Sequence, residues 1–228
     1  MGKRSDLRND ITMCLTMGRR PQELRATAAS LGPDLVRLPI LAVNDFGDGA
    51  TNAVFHELFP RGRIVPLPGH VGHMRALEAL YAEVRTPYVF HFEDDWTFTR
   101  DDFLDESIAI LKASPQVSQV CLRAAQDIKH ARQVGRDLFT EVHAGVGTFR
   151  LDVLQDVWYR YTFNPHVART ADWKTIVSLG VRGEKQVSRF MRRTSRYTAF
   201  LLEGACHHAG ADNSVRKALE REQRRIAA

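Results

Sequence analysis

The sequence predicts an α/β fold: one domain built on a mostly parallel central sheet flanked by helices. Three observations carry this. Short apolar and β-branched runs alternate with segments whose apolar residues recur at helical spacing through the first half of the chain. The length of 228 residues suits one large domain with a core of its own. Polar clusters at 16–20, 44–48 and 93–95 follow three of the strand-like runs, and ligands of such sheets bind beyond the carboxyl ends of the strands.

The elements follow in order. Residues 11–17 are an apolar run ended by Gly18-Arg19-Arg20-Pro21, which reads as a buried strand. Pro21 suits a first helical turn. Leu24, Ala28 and Leu31 then share one face until Gly32-Pro33 stops the helix. Residues 38–43 form the next strand, which runs into Asn44-Asp45-Phe46-Gly47-Asp48-Gly49, and Ile64 and Val65 form a short third one. Met74, Leu77, Tyr81 and Val84 mark the inner face of a helix over 71–84. Thr86-Pro87 breaks it, and the aromatic strand 88–92 runs straight into Glu93-Asp94-Asp95-Trp96. Thr99 with Asp102 resembles a capping box and predicts a helix start there, with Leu104, Ile108 and Leu111 facing inward. Residues 117–122 return as a strand. From about Thr140 the alternation is less regular, and this half is expected to cover the rim of strand ends. Residues 1–9 read as a flexible polar N-terminus, 10–214 as the domain, and 215–228 as a basic C-terminal helix or tail.

Composition removes several classes. Hydrophobic residues make up 44% and charged residues 26%, ordinary globular values that exclude a disordered or fibrous chain. No apolar run is long enough to span a bilayer. The polar opening residues have no apolar stretch after them, so no signal peptide is expected. Cys14, Cys121 and Cys206 are few, odd in number and far apart. They read as reduced thiols, and a cytoplasmic location is expected. The net charge of +5 and pI near 9.3 favour anionic partners. The cations gather late, as Arg182, Lys185, Arg189, Arg192, Arg193 and Arg196, with only Glu184 against them. A solvated basic face accounts for that run as well as a binding surface does. A nucleic-acid module needs cations interleaved with stacking aromatics. Phe190 falls on an inner face, so no nucleic-acid partner is expected. The tail 215–226 is basic but carries Glu220 and Glu222 and little apolar bulk. Membrane association is therefore expected to be peripheral at most.

The acidic triplet is the strongest chemical signal. Three adjacent carboxylates at a buried strand end repel one another, and a divalent cation is the usual counterweight. Hard oxygen ligands select magnesium or manganese over zinc. The plainer alternative is acids favoured at a nearby helix start.

The segment Tyr88-Val-Phe-His-Phe-Glu-Asp-Asp-Trp96 resembles the acidic metal motif of the GT-A glycosyltransferases, especially family 2-like enzymes. The resemblance implies a GT-A, Rossmann-like fold, a nucleotide-diphosphate sugar donor, and Mn2+ or Mg2+. It places Asp95 on the metal, Asp94 toward the ribose and Glu93 near the donor sugar. The first strand and turn, 11–24, resemble the family's opening, with Thr16 and Arg19 or Arg20 beside the nucleotide. Asp45 matches the turn that holds the base. A carboxylate accepts from a ring N–H, which favours uracil over adenine and hence a UDP-sugar. In 68–77, Gly72 and Arg75 match the helix start beside the nucleotide. Cys206-His-His-Ala-Gly210 resembles the family's late His-x-Gly element, which reaches back to the metal and diphosphate; His208 aligns and His207 is the alternative. Zinc on Cys206 and the histidines is set aside, because a structural zinc wants four protein ligands and no Cys-x-x-Cys is present.

Inverting transfer needs one carboxylate to accept the proton of the attacking hydroxyl. The element 180–188 resembles the family's supplier of that base, and Glu184 is the candidate. Asp172 is the alternative, with Trp173 beside it for stacking on an acceptor sugar. The implied activity is hexosyl or N-acetylhexosaminyl transfer to a glycan, a lipid-linked acceptor or a small molecule. The Glu that opens the acidic motif and the lone Asp45 after Asn44 depart from the family pattern. A nucleotidyltransferase is the competing enzyme class. It would want a glycine-rich phosphate loop with a lysine after the first strand, and Gly18-Arg19-Arg20 is too short for one.

Overall fold

Strand β1 (Ile11–Met17) runs through the middle of the molecule, and its apolar residues serve two cores at once. In this computed structural model, which describes residues 9–128, 139–154, 159–178, 180 and 183–209, Met13, Leu15 and Met17 face one layer and Cys14 the other. The segment alternates, with Ile11, Met13, Leu15 and Met17 on one face and Thr12, Cys14 and Thr16 on the other.

Parallel neighbours flank β1: β2 (Ile40–Asn44) on one side and β4 (Tyr88–Glu93) on the other, with β3 (Arg63–Ile64) beyond β2. The sheet continues past β4 through β9 (His166–Arg169), β6 (Val117–Cys121), β10 (Tyr197–Leu201), β8 (Val146–Arg150) and β7 (Phe139–His143). β9 lies antiparallel between β4 and β6, while β10 is parallel to β6. The sheet is thus parallel around β1 and mixed beyond it. On one face pack α1 (Pro21–Ser30), α2 (Gly49–Leu58) and α4 (Phe103–Ala113). On the other pack α3 (His73–Ala82), α5 (Thr170–Ser178) and α6 (Glu184–Arg193).

Two expectations change. The helix expected after Thr99 begins at Phe103, with Asp102 at its N-cap and no side-chain cap bond. The reason is that Trp96–Phe98 is spent as strand β5, paired antiparallel with β11 (Cys206–His208) in a second, two-stranded sheet. The second half is also expected to cover the rim. Among the described residues β7 to β10 extend the main sheet, while β11 returns to the strand ends and Phe163 packs against His73 beside them. Helix α2 carries no strong apolar period. It starts because Asp48 accepts a hydrogen bond from the Thr51 N–H at 2.9 Å, an ordinary N-cap.

All three cysteines are buried and unpaired, and burial drives the Cys121 thiol up to about 12. Among the described residues no helix is long and apolar enough to cross a membrane. The segments 1–8 and 210–228, with Gly210 and the basic tail, lie outside the described residues.

Candidate active site

The carboxyl ends of β1, β2 and β4 are level. Thr16 is in register with Val43 on one side and with Glu93 on the other. The loops leaving these three strands therefore meet, and they enclose a cavity of about 350 Å3. Thr16, Met17, Gly18 and Arg20 form its β1 side, Val43, Asp45 and Phe46 its β2 side, Glu93 its β4 side, and His70, Gly72, His73 and Ala76 its roof at the start of α3.

The acidic triplet divides its labour. Asp94 is fully buried and accepts the Gly18 N–H at 2.9 Å, while Thr27 Oγ1 donates to its backbone carbonyl. Arg20 Nη2 lies 2.5 Å from Asp94 Oδ1, and Arg20 Nη1 pairs with Asp95 Oδ2. Asp95 Oδ2 also meets His208 Nε2 at 3.1 Å. Glu93 accepts the Trp96 indole N–H at 3.0 Å. Burial pushes both Glu93 and Asp94 up to about 7; the Asp95 charge adds to the rise at Glu93, while Arg20 and the Gly18 N–H oppose the rise at Asp94. Asp95 goes the other way. Burial raises it, but the His208 hydrogen bond and the Arg20 charge outweigh that, and its pKa ends below the usual value.

His208 reaches Asp95 by backbone pairing. It sits opposite Trp96 across β5 and β11, its ring stands edge-on to that indole at 4.9 Å, and the Ala209 N–H donates to the Asp95 carbonyl. The long chain separation of the two residues is closed by one short ladder. His207, the alternative, is exposed.

The turn after β2 holds the roof. Asn44 Oδ1 accepts from the Phe46 and Gly47 N–H groups. Asp45 Oδ1 accepts the Val71 N–H at 2.7 Å, Asp45 Oδ2 accepts the Gly72 N–H at 3.0 Å, and His70 Nδ1 lies 3.0 Å from the same Oδ2. Gly72 has φ +86°, a conformation that suits glycine, and is the residue before α3. Phe46 stacks on His70 at 5.1 Å, with the Arg19 guanidinium 5.1 Å from the Phe46 ring centre. Gly18 must be small, since a Cβ there would lie 2.4 Å from Phe46 Cδ2.

The structure thus gathers Thr16, Asp45, Gly72 and Glu93 on the cavity wall, with Arg19 over Phe46 and Asp94, Asp95 and His208 behind the wall. Arg75 is exposed on α3 and lies outside the wall. Glu184 opens α6 and accepts the Phe163 N–H at 3.2 Å; Phe163 in turn packs edge-on against His73 of the wall. Asp172 is farther from this role. Arg196 grips it with both terminal nitrogens, one at 2.8 Å, and Arg169 lies 3.4 Å away. Sequence reasoning passed over Phe46, His70 and His73, which lie in segments it had singled out. Aromatic and imidazole rings beside turn residues carry no periodic signal.

Among the described residues no three His, Cys, Asp or Glu side chains converge as a closed metal site. The residues nevertheless fit a divalent cation that shares its shell with a diphosphate. Magnesium-type sites take one or two protein ligands and leave the rest to phosphate and water. Asp95 and His208 already lie at the spacing of adjacent ligands, and Asp95 Oδ1 is buried without a hydrogen-bond partner among the described residues.

No protein-family model matches the sequence, and no curated protein matches it. Solved structures do. A mannosyltransferase of Pyrobaculum calidifontis, determined with GDP-mannose and Mn2+, superposes with TM-score 0.65 at 12% identity over 94% of this chain and 61% of that one. S. aureus TarS gives 0.59 at 10% identity over 88% of this chain and 36% of that one. The TarS 1–349 fragment in complex with UDP-GlcNAc gives 0.54 at 13% identity over 96% and 65%. The chain has the fold of these proteins and spans less than two thirds of their length.

Proposed function

We propose that this chain is a GT-A glycosyltransferase, family 2-like, that takes a sugar from a nucleotide-diphosphate donor and passes it with inversion to an acceptor hydroxyl. The observation that carries this is the meeting of Asp94, Asp95, Arg20 and His208 beside a cavity at the carboxyl ends of three parallel strands. The fold shared with a mannosyltransferase solved with GDP-mannose and Mn2+ supports the same reading.

The donor nucleotide enters between β1 and β2, with Asp45 toward the base and a UDP-sugar favoured. Thr16, Arg19 and Gly72 line its path and Glu93 faces the donor sugar; Asp94, expected at the ribose, is fully buried behind the wall and acts there by anchoring Gly18 and Arg20. Asp95 and His208 hold Mn2+ or Mg2+, which supplies positive charge to the departing diphosphate. Glu184 takes the proton of the acceptor hydroxyl; its carboxylate lies one residue contact from the cavity wall, through Phe163. Asp172 is the second candidate, and its pairing with two arginines favours a structural role. The reading covers hexosyl or N-acetylhexosaminyl transfer to a glycan, lipid-linked or small-molecule acceptor. Buried thiols suit a cytoplasmic setting, peripheral to a membrane where the acceptor is lipid-linked.

A nucleotidyltransferase fits less well. The Gly18 and Arg19 N–H groups, which would cradle phosphate in that class, are spent on Asp94 and Asp48.

Calorimetric titration with UDP and GDP, each with and without Mn2+, tests the proposal. Metal-dependent UDP binding that disappears in Asp95→Ala is the expected result. A preference for GDP would change the donor class, and no nucleotide binding by the folded protein would sink the reading.

A further inference from the structure

Arg20 holds two carboxylates of the triplet with one guanidinium. Nη2 is on Asp94 Oδ1 at 2.5 Å and Nη1 on Asp95 Oδ2. Asp94 is a fixed anchor, fully buried and held by Gly18 N. Asp95 is a shared one: the oxygen that Arg20 holds is also the oxygen facing His208. The other oxygen, Oδ1, is buried and makes no hydrogen bond among the described residues. A cation entering between Asp95 and His208 therefore meets Arg20 on its own ligand atom, and two cations on one carboxylate oxygen repel. Arg20 also has somewhere to go. It lies immediately before α1, at the helix end where anions are favoured, and it lines the cavity.

We propose that Arg20 is a resident counter-cation that occupies the metal's place on Asp95 and exchanges with it. Without metal, its guanidinium neutralises Asp95. When cation and diphosphate arrive, the Asp95 arm of the fork is released and turns to the diphosphate, while the Asp94 arm stays. Arg20 is then a positioning residue that couples metal binding to donor binding. The inference rests on the donor reading above, but its first measurement does not need a donor.

Mn2+ binding is measured by the electron paramagnetic resonance of free Mn2+, on wild type, Arg20→Gln and Arg20→Lys, without nucleotide and with UDP or GDP. Without nucleotide, Arg20→Gln binds Mn2+ at least about tenfold more tightly than wild type, because a competing positive charge is gone. Arg20→Lys falls between the two. With Mn2+ saturating, nucleotide binds Arg20→Gln roughly tenfold more weakly, for want of a charge-assisted contact to diphosphate. Thermal melting guards against a folding artefact. Arg20→Gln melts lower than wild type without cation and gains more from Mn2+ than wild type does. Unchanged or weaker nucleotide-free Mn2+ binding in Arg20→Gln, or a Mn2+ gain no larger than wild type's, overturns the proposal. Nucleotide that binds no variant with or without Mn2+ overturns the transferase reading instead, and leaves the nucleotide-free comparison standing.

Discussion

Asp94 and Asp95 are neighbours in sequence with opposite protonation behaviour, and the difference lies in their partners. Asp94 is fully desolvated and rises to about 7, whereas His208 and Arg20 together pull Asp95 down. A replacement at Asp95 therefore acts on the site and on stability together. Asp95→Asn keeps the size and loses the charge; metal-dependent nucleotide affinity should fall at least about tenfold, and the metal-free protein should melt lower, because Arg20 and His208 lose their charged partner. Asp45 is the contrasting case. Its carboxylate already holds the Val71 and Gly72 N–H groups. Asp45→Ala leaves both donors without that acceptor, and should cost about 1–3 kcal/mol of stability as well as uridine affinity. Denaturant unfolding beside a UDP titration separates the two losses. If stability is unchanged, the roof is not held by this carboxylate. The residue types at these positions were legible in the sequence as Asp, Gly and His in suggestive order. Their partners were not, because a hydrogen bond between residues 45 and 71 leaves no local trace.

At the scale of elements, the site depends on two joints. The first is the start of α2, where Asp48 caps Thr51 and also receives the Arg19 N–H at 2.8 Å. Asp48→Ala should destabilise the protein by about 1 kcal/mol, the usual value of an N-cap, and loosen the turn after β1. Melting temperature reads the first effect and nucleotide affinity the second. The other joint is the turn from β10 to β11. Gly204 has φ +65°, and a Cβ there would lie 2.6 Å from the Ala124 Cα. Backbone cannot yield as a flexible side chain does. Gly204→Ala is therefore expected to shift β11, weaken the Asp95–His208 contact and lower Mn2+ affinity together with stability. Normal Mn2+ binding in this variant would show that β11 is placed by its ladder with β5 alone. The helical faces of α3 and α4 were readable from their apolar spacing. β5 and β11 were not, since strands of three residues carry too little pattern to stand out from loops.

The whole molecule is a sheet between two helical layers, and one part of its acid response lies in the layer under α3, α5 and α6. His91 and His166 are fully buried there with rings 5.1 Å apart, flanked by Tyr81 and Tyr161. Burial lowers both, His166 to about 4, although the Asn164 carbonyl opposes the shift. The fold keeps these rings neutral while the unfolded chain binds protons below 6.5, so stability falls as pH drops from 6.5 toward 4, by about 3 kcal/mol for His166. Glu93 and Asp94 act in the opposite sense. The folded protein retains their protons up to about 7, so their contribution grows as pH falls from 7 toward the usual carboxylate range. Comparing wild type with His166→Gln isolates the first effect. The variant should lose about 3 kcal/mol less between pH 6.5 and 4, and parallel pH profiles would show that His166 is not the group responsible. By itself the sequence determined the α/β class, the strands β1, β2, β4 and β6, and the acidic triplet at a strand end. These are local facts, written in apolar runs, helical spacing and turn residues that each segment carries independently of the rest. Only the tertiary structure decided that β9 inserts antiparallel beside β4, that the β5–β11 ladder is what brings His208 to Asp95, and that Arg20 grips Asp94 and Asp95. Those depend on pairings between distant segments, which the packing of the whole chain selects and no single stretch encodes.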